Sequence, residues 1–153
     1  MQIARIGPWE FEMPDGWAHK PNDASNSYFE NDAGTRGLYV KAIELAAPKA
    51  SAAEFAEHIQ DIHWRSFTEE PGKTWRIAER RKASEGELAR SALDIHDAAA
   101  NYRILSLVLA SAVDAIQVTV HDYWCEDYGG TRADFARLEA SIVRSEDVPS
   151  VEP

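Results

Sequence analysis

The sequence predicts an α+β domain in which an antiparallel sheet carries helices packed on its faces. Three observations support this class. Apolar residues alternate along several strand-like runs, two segments carry apolar residues at helical spacing, and the later runs are joined by very short links. Short links require antiparallel neighbours, because parallel strands need a long crossover connection. The predicted order is β-β-β-α-β-β-β-β-α, and the 153-residue length fits a single domain over residues 1–144.

The first three strands are predicted from alternation and turn residues. In Trp9–Met13, large apolar residues alternate with glutamates, which is typical of a half-buried strand. Pro14-Asp15-Gly16 then forms a turn. The runs Ser27–Glu30 and 38–45 flank a polar, glycine-bearing loop, and this arrangement predicts a hairpin.

The first helix is predicted to begin after Ser51. Ser51 with Glu54 three positions later has the spacing of a capping box. Phe55, Ile59 and Ile62 follow at i, i+4 and i+7 and form one apolar stripe. We therefore expect these three side chains to be largely buried against the sheet.

Four strands in a meander are predicted after this helix, at residues 75–83, 87–96, 101–111 and 115–124. The third run is apolar on both faces, which predicts a central strand covered on each side. A second helix over 131–143 places three apolar residues on one face, at Phe135, Leu138 and Ile142. The remaining residues, 145–153, are acidic and proline-bearing, and we expect a flexible tail.

Composition excludes several classes of function. The net charge of −10 argues against general nucleic-acid binding, because phosphates would be repelled. No apolar run approaches the roughly 20 residues of a membrane-spanning helix, and the first residues lack the apolar stretch of a signal peptide. Cys125 is the single cysteine, which agrees with a reducing compartment. A cytoplasmic protein is the expectation.

The histidines offer one alternative function. The pairs His96-Asp97 and His121-Asp122 both fall late in predicted strands, so the His96/His121 region could serve a small enzyme or ligand-binding domain. However, adjacent strand residues point to opposite faces, and no serine or cysteine has the context of a nucleophile. His58, with Glu54 and Asp61 on one helix face, is better explained as a solvated surface. We therefore expect no catalytic residue, no metal site and no cofactor.

A loop between the last strand and the last helix is the candidate partner-binding site. It combines aromatic and acidic side chains beside a flexible Gly129-Gly130, and such loops on a rigid scaffold often carry binding residues. The candidate residues are Tyr123, Trp124, Glu126, Asp127 and Tyr128. The acidic balance of the chain suits a basic protein partner. The alternative is that these aromatics only complete the core.

A basic segment, residues 73–90, departs from this acidic average. It either docks an acidic partner or protects an edge strand from aggregation, and both interpretations stay open. Cys125 itself lies beside Glu126 and Asp127, which oppose a reactive thiolate, and is expected to be an ordinary thiol.

The opening PWEFEMPDGW, followed by a hairpin, a helix, a four-strand meander and a terminal helix, resembles the PsbP-like superfamily of α/β/α sandwiches. The resemblance covers nearly the whole chain in element order and lends no catalytic residues. It implies a non-enzymatic binding protein, since the superfamily includes a photosystem extrinsic subunit and a nuclear-transport Ran-binding factor. Bacterial relatives include adaptor chaperones for type VI secretion effectors, and immunity proteins are similarly small and acidic. The resemblance thus implies an adaptor or immunity protein whose partner is an effector or toxin.

Overall fold

The computed structural model describes residues 2–20, 27–44 and 51–145. Within them, a seven-stranded antiparallel sheet carries one helix on each face, and a small three-stranded sheet packs beside the second helix. The elements in chain order are β1 (Gln2–Ile6), β2 (Trp9–Met13), β3 (Ala18–Lys20), β4 (Ser27–Glu30), β5 (Arg36–Glu44), α1 (Ala52–Thr68), β6 (Arg76–Glu85), β7 (Leu88–Asp97), β8 (Tyr102–Ala110), β9 (Asp114–Asp122), α2 (Tyr128–Ser141) and β10 (Val143–Arg144).

The large sheet has the order β3-β4-β5-β9-β8-β7-β6, and every neighbouring pair is antiparallel. The predicted α+β class, the hairpin and the four-strand meander are confirmed. Strand β8 lies inside the sheet, with Leu107 buried on the α2 side and Val108 buried on the α1 side. Because both faces of β8 are buried, its sequence is a nearly continuous run of apolar residues and does not alternate.

Helix α1 begins as the sequence predicts, and two of the three side chains of its predicted apolar stripe are buried. Ser51 and Glu54 form the capping box, and Phe55 and Ile59 are buried against β7 and β8. The expectation for Ile62 is wrong, because this side chain is 51% exposed. The buried face instead includes Gln60, whose side-chain amide donates a hydrogen bond to the backbone of the sheet. Apolar spacing alone therefore misplaces the centre of the buried face of α1, because it does not count a buried polar residue.

The α2 side holds the larger core. Phe135, Leu138 and Ile142 are buried there, as predicted, and they pack with Trp9 and other large side chains of β2. Helix α2 begins at Tyr128 and ends at Ser141, earlier at both ends than the predicted 131–143. The earlier start follows from Asp127, whose side chain accepts a hydrogen bond from the Gly130 amide and caps the helix.

A second sheet is the main departure from the predicted single one. Strand β2 pairs with β1 through a tight turn at Gly7 (φ +58°) and with the short β10, and it does not join the large sheet. Glycine suits this turn because a positive φ is free of steric penalty there. Strands β1, β3 and β10 are absent from the order predicted from the sequence. The predicted tail begins at residue 145, and its residues 146–153 lie outside the described part of the chain.

Candidate functional site

The candidate loop joins the end of β9 to the start of α2. Its residues differ sharply in exposure: Trp124 is 59% exposed, Glu126 and Asp127 are exposed, and Tyr123 and Tyr128 are half-buried. The outward surface of the loop is therefore an aromatic side chain followed by two carboxylates. An exposed aromatic with charged groups beside it matches an interface in which an aromatic lies at the centre and charged residues lie at the rim.

Hydrogen bonds from neighbouring loops hold the backbone on the Trp124 side. The Tyr123 amide donates to the Thr35 carbonyl (3.0 Å), and the Asn101 side-chain amide donates to the Trp124 carbonyl (2.7 Å). Cys125 adopts a positive φ of 52°, which turns the chain sharply after Trp124. The tryptophan is thus presented on a fixed backbone.

Asp122 and Arg36 hold the rest of the loop. The buried Asp122 carboxylate accepts bonds from the Cys125 amide (2.9 Å) and the Thr131 hydroxyl (2.7 Å), so it ties the loop to α2. The Arg36 guanidinium donates to the Asp127 carbonyl (3.0 Å). The hydrogen bonds of Asp122 therefore give this carboxylate a structural role, which is to hold the loop against α2.

The two tyrosines of the loop face inward. The Tyr123 hydroxyl lies 3.1 Å from the Tyr28 hydroxyl, and the Tyr128 ring lies under the Arg103 guanidinium at 3.7 Å. Burial raises the pKa of both phenols, so they stay neutral. The geometry of Tyr123 and Tyr128 fits the alternative interpretation, in which the aromatics of the loop complete the core. The candidate residues that face solvent are therefore Trp124, Glu126 and Asp127.

Cys125 is a half-buried thiol. Burial raises its pKa, and the neighbouring Asp122 carboxylate raises it further. The thiol is therefore protonated at neutral pH and a poor nucleophile.

The structure separates the two histidines of the alternative function. Across the sheet, His96 of β7, Arg103 of β8 and Asp122 of β9 lie opposite one another and share a face. His121 lies opposite Ile104, the next residue along β8. Because side chains alternate along a strand, His96 and His121 lie on opposite faces, and a joint His96/His121 site is wrong. The Asp97 carboxylate instead accepts from the backbone amides of Thr74 (3.3 Å) and Ala100 (3.4 Å).

His121 faces a different histidine. It lines a pocket of about 240 Å³ on the α1 side of the sheet together with His63, which was not among the predicted site residues. His63 follows Ile59 by four positions and Phe55 by eight, a spacing that places it near the buried face of α1. That spacing was the available signal. The other lining residues are Tyr39, Lys41, Phe67, Gln117 and Thr119.

His58 lies on the exposed side of α1. Across residues 2–20, 27–44 and 51–145, no group of three or more His, Cys, Asp or Glu side chains is arranged to hold a metal ion. The same ranges contain no helix long and apolar enough to cross a membrane.

The basic segment includes β6, an edge strand exposed at all ten positions. Its cations pair with acids of both helices: Arg80 contacts Glu57 and Asp61 of α1, and Arg81 contacts Glu139 of α2. Burial alone would raise the pKa of Glu139, but hydrogen bonds from Arg81 and a second arginine, Arg90, hold it below its usual value. These internal ion pairs favour the edge-protection interpretation over docking of an acidic partner.

No protein-family model matches this sequence, and no curated protein sequence matches it either. Several solved structures are similar to it in fold. Cyanobacterial PsbP (CyanoP) from Synechocystis sp. PCC 6803 superposes with a TM-score of 0.68 at 14% identity, covering 94% of this chain and 91% of that one. The Saccharomyces cerevisiae Ran-binding protein Mog1p gives a TM-score of 0.58 at 10% identity, covering 95% and 96% of the two chains.

A third solved structure is a protein from Bacteroides thetaiotaomicron VPI-5482. It gives a TM-score of 0.60 at 11% identity, and the match covers 94% of this chain and 47% of that one. At these identities the comparisons establish the fold, which is PsbP-like.

Proposed function

We propose that the chain is a non-catalytic protein-binding domain whose contact surface centres on Trp124. The observation that carries this proposal is a tryptophan that is 59% exposed on a backbone fixed from neighbouring loops. An exposed tryptophan leaves a large apolar surface in contact with water, and covering that surface with a partner gives a favourable free energy of binding. The fixed backbone reduces the entropy lost on binding.

Charge supports a basic partner. Glu126 and Asp127 follow the tryptophan by two and three residues, and the chain carries a net charge of −10. Acidic groups at the rim of an interface steer a basic protein toward it and raise the association rate. Glu126 is the better steering group to test, because the Asp127 side chain also caps α2.

A non-catalytic role rests on how the structure uses its acids. Asp97 and Asp122, the acids of the two His-Asp pairs, accept hydrogen bonds from backbone and threonine groups, so neither orients its histidine. Mog1p is described as Ran-binding, so a protein partner has a precedent on this fold. Within this proposal, the cytoplasmic partner is a basic effector or toxin, and the chain is its adaptor or immunity protein.

Trp124→Ala is the direct test. Tagged wild-type chain is used to capture partners from lysate, and a captured protein is purified and its affinity measured. We expect Trp124→Ala to weaken that affinity at least 30-fold, the effect of losing a central aromatic worth about 2 kcal/mol. Ile62→Ala is the matched control, because Ile62 is a large apolar side chain with similar exposure on α1. Equal affinities of wild type and Trp124→Ala would remove this loop from the binding site.

Association rates test the steering separately. We expect Glu126→Lys to slow association with a basic partner at low salt and to lose most of that effect at 0.5 M salt, where charges are screened within several ångströms. A rate that is independent of salt in the wild type would contradict the electrostatic part of the proposal.

A further inference from the structure

The pocket on the α1 side of the large sheet is lined by none of the five candidate-loop residues. Its walls come from α1, β5 and β9, and its volume is about 240 Å³. The Tyr39 and Phe67 rings contribute apolar surface, while Gln117 and Thr119 contribute polar groups. Its lining includes one ammonium group, on Lys41, and no carboxylate.

Both histidines of this pocket are neutral. Burial lowers the pKa of His63 to about 4, and the charge of Lys41 lowers it further. Burial also lowers the pKa of His121 to about 3, with His63 adding to the effect. Each ring at neutral pH therefore has one N–H donor and one nitrogen lone pair.

The hydrogen bonds behind His63 fix which nitrogen carries its proton. The Gln60 amide nitrogen donates to the Ser91 and Ser106 carbonyls (2.9 and 3.3 Å), which leaves its oxygen as an acceptor. The Ser106 hydroxyl donates to that oxygen (3.1 Å), so its single proton is used. Ser106 can then only accept from His63 Nδ1, 2.9 Å away. His63 Nε2 is consequently a lone-pair acceptor.

His121 has the opposite tautomer. Its Nδ1 lies 2.6 Å from the Tyr102 hydroxyl. Burial raises the pKa of Tyr102, so the phenol keeps its proton, and His121 Nδ1 is its hydrogen-bond partner among the described residues. A phenol can donate or accept, and only the donating arrangement gives its hydrogen a partner among the described residues, so we assign Nδ1 as the acceptor and place the imidazole hydrogen on Nε2. One pocket thus contains an imidazole donor and an imidazole acceptor.

We propose that this pocket binds a small planar cyclic amide, a ring in which an N–H stands beside a C=O. The ring carbonyl accepts from His121 Nε2–H, and the ring N–H donates to His63 Nε2. The Tyr39 and Phe67 rings pack against the apolar parts of the ligand, and Lys41 favours a ligand with an anionic substituent. A site that pairs both groups of such an edge discriminates against analogues lacking one of them, because the unpaired imidazole group then loses its hydrogen bond.

The tautomers are measured first, on wild-type protein labelled with ¹⁵N. Long-range ¹H–¹⁵N correlation spectra distinguish a protonated Nδ1 from a protonated Nε2. We expect His63 in the Nδ1–H form and His121 in the Nε2–H form at pH 7. Finding the same tautomer in both rings would overturn the proposal, because the donor–acceptor pair would not exist.

Binding is then measured by titrating the same protein with uracil. We expect saturable shifts at the pocket residues with uracil and none with 1,3-dimethyluracil, which keeps the ring and carbonyls but has no N–H. Orotate, a uracil with a carboxylate, is expected to bind several-fold tighter than uracil, and Lys41→Gln to remove that gain. An absence of saturable binding by uracil and orotate alike would refute the proposal.

Variants complete the test. His63→Phe is expected to weaken uracil binding about tenfold, the effect of losing one hydrogen bond to the ligand. His58→Phe, on the exposed face of the same helix, is expected to leave binding unchanged. Trp124→Ala should also leave uracil binding unchanged, which separates this pocket from the proposed protein-binding loop. Equal weakening by His58→Phe and His63→Phe would contradict a site at the pocket.

Discussion

Phe55→Ala is expected to lower the free energy of unfolding by about 3–5 kcal/mol. Phe55 is 6% exposed and packs with Ala89, Val108 and Ala115, so its removal leaves a cavity between α1 and the large sheet. The small alanines around it cannot fill that space. Urea denaturation at pH 7 measures the change.

Ile62→Ala is the matched control on the same helix. Ile62 is 51% exposed, and we expect its replacement to change the free energy of unfolding by no more than about 0.5 kcal/mol. The two variants together test which face of α1 is turned inward. A larger loss from Ile62→Ala than from Phe55→Ala would show that the helix is rotated from the described position.

Arg144→Ala is expected to lower the free energy of unfolding by about 3 kcal/mol, because it leaves the buried Asp114 carboxylate without its cation. The Arg144 guanidinium binds both carboxylate oxygens, at 2.9 and 2.8 Å. This bidentate pair joins β10, in the small sheet, to the start of β9 in the large one. Thermal and urea denaturation both report the loss.

The pH dependence of this variant gives a second readout. Burial alone would raise the pKa of Asp114, but hydrogen bonds from Arg144 and Ser111 outweigh it and hold the pKa below its usual value. A carboxylate with a lowered folded-state pKa stabilises the fold fully above its unfolded-state pKa of about 4 and loses that effect as pH falls through the lowered value. The difference between wild type and Arg144→Ala should therefore shrink below pH 4.

Arg5→Ala is the control for this ion pair. Arg5 also pairs with a carboxylate of the small sheet, that of Glu10, but its side chain is mostly exposed. A surface pair contributes at most about 1 kcal/mol, so we expect a small change with little dependence on pH. An effect of Arg144→Ala no larger than that of Arg5→Ala would show that the buried pair does not hold the two sheets together.

Local pattern was sufficient for six of the seven strands of the large sheet, all except the three-residue edge strand β3. The short links and the two-sided apolar run of β8 predicted the meander and its central strand, because both signals come from neighbouring residues. The small sheet could not be predicted because β10 is two residues long and pairs with a strand near the other end of the sequence. Nothing in the composition of so short a segment marks it as a strand.

The sites show the same limit. The exposed Trp124 and the acids beside it could be proposed from sequence, since loop, aromatic and charge are adjacent in the chain. The pairing of His63 with His121 could not, because it brings a helix and a distant strand together across the sheet. Whether His96 and His121 share a face depends on the register of three strands, and that register places them on opposite faces. Buried polar groups such as Gln60 add to the difficulty, because hydrophobic periodicity does not register them.

The pairing of β2 with β10 has a consequence for synthesis. Trp9 lies opposite Arg144 in the register, so the small sheet cannot close until nearly all of the described chain has left the ribosome. Until then, the fully buried side chains of β2, Trp9 and Phe11 among them, lack their final cover and are open to non-native association. Contacts this distant in sequence also slow folding, because loop-closure entropy is lost before the contact forms. We therefore expect nascent chains arrested before residue 144 to depend on chaperones more than the released protein does.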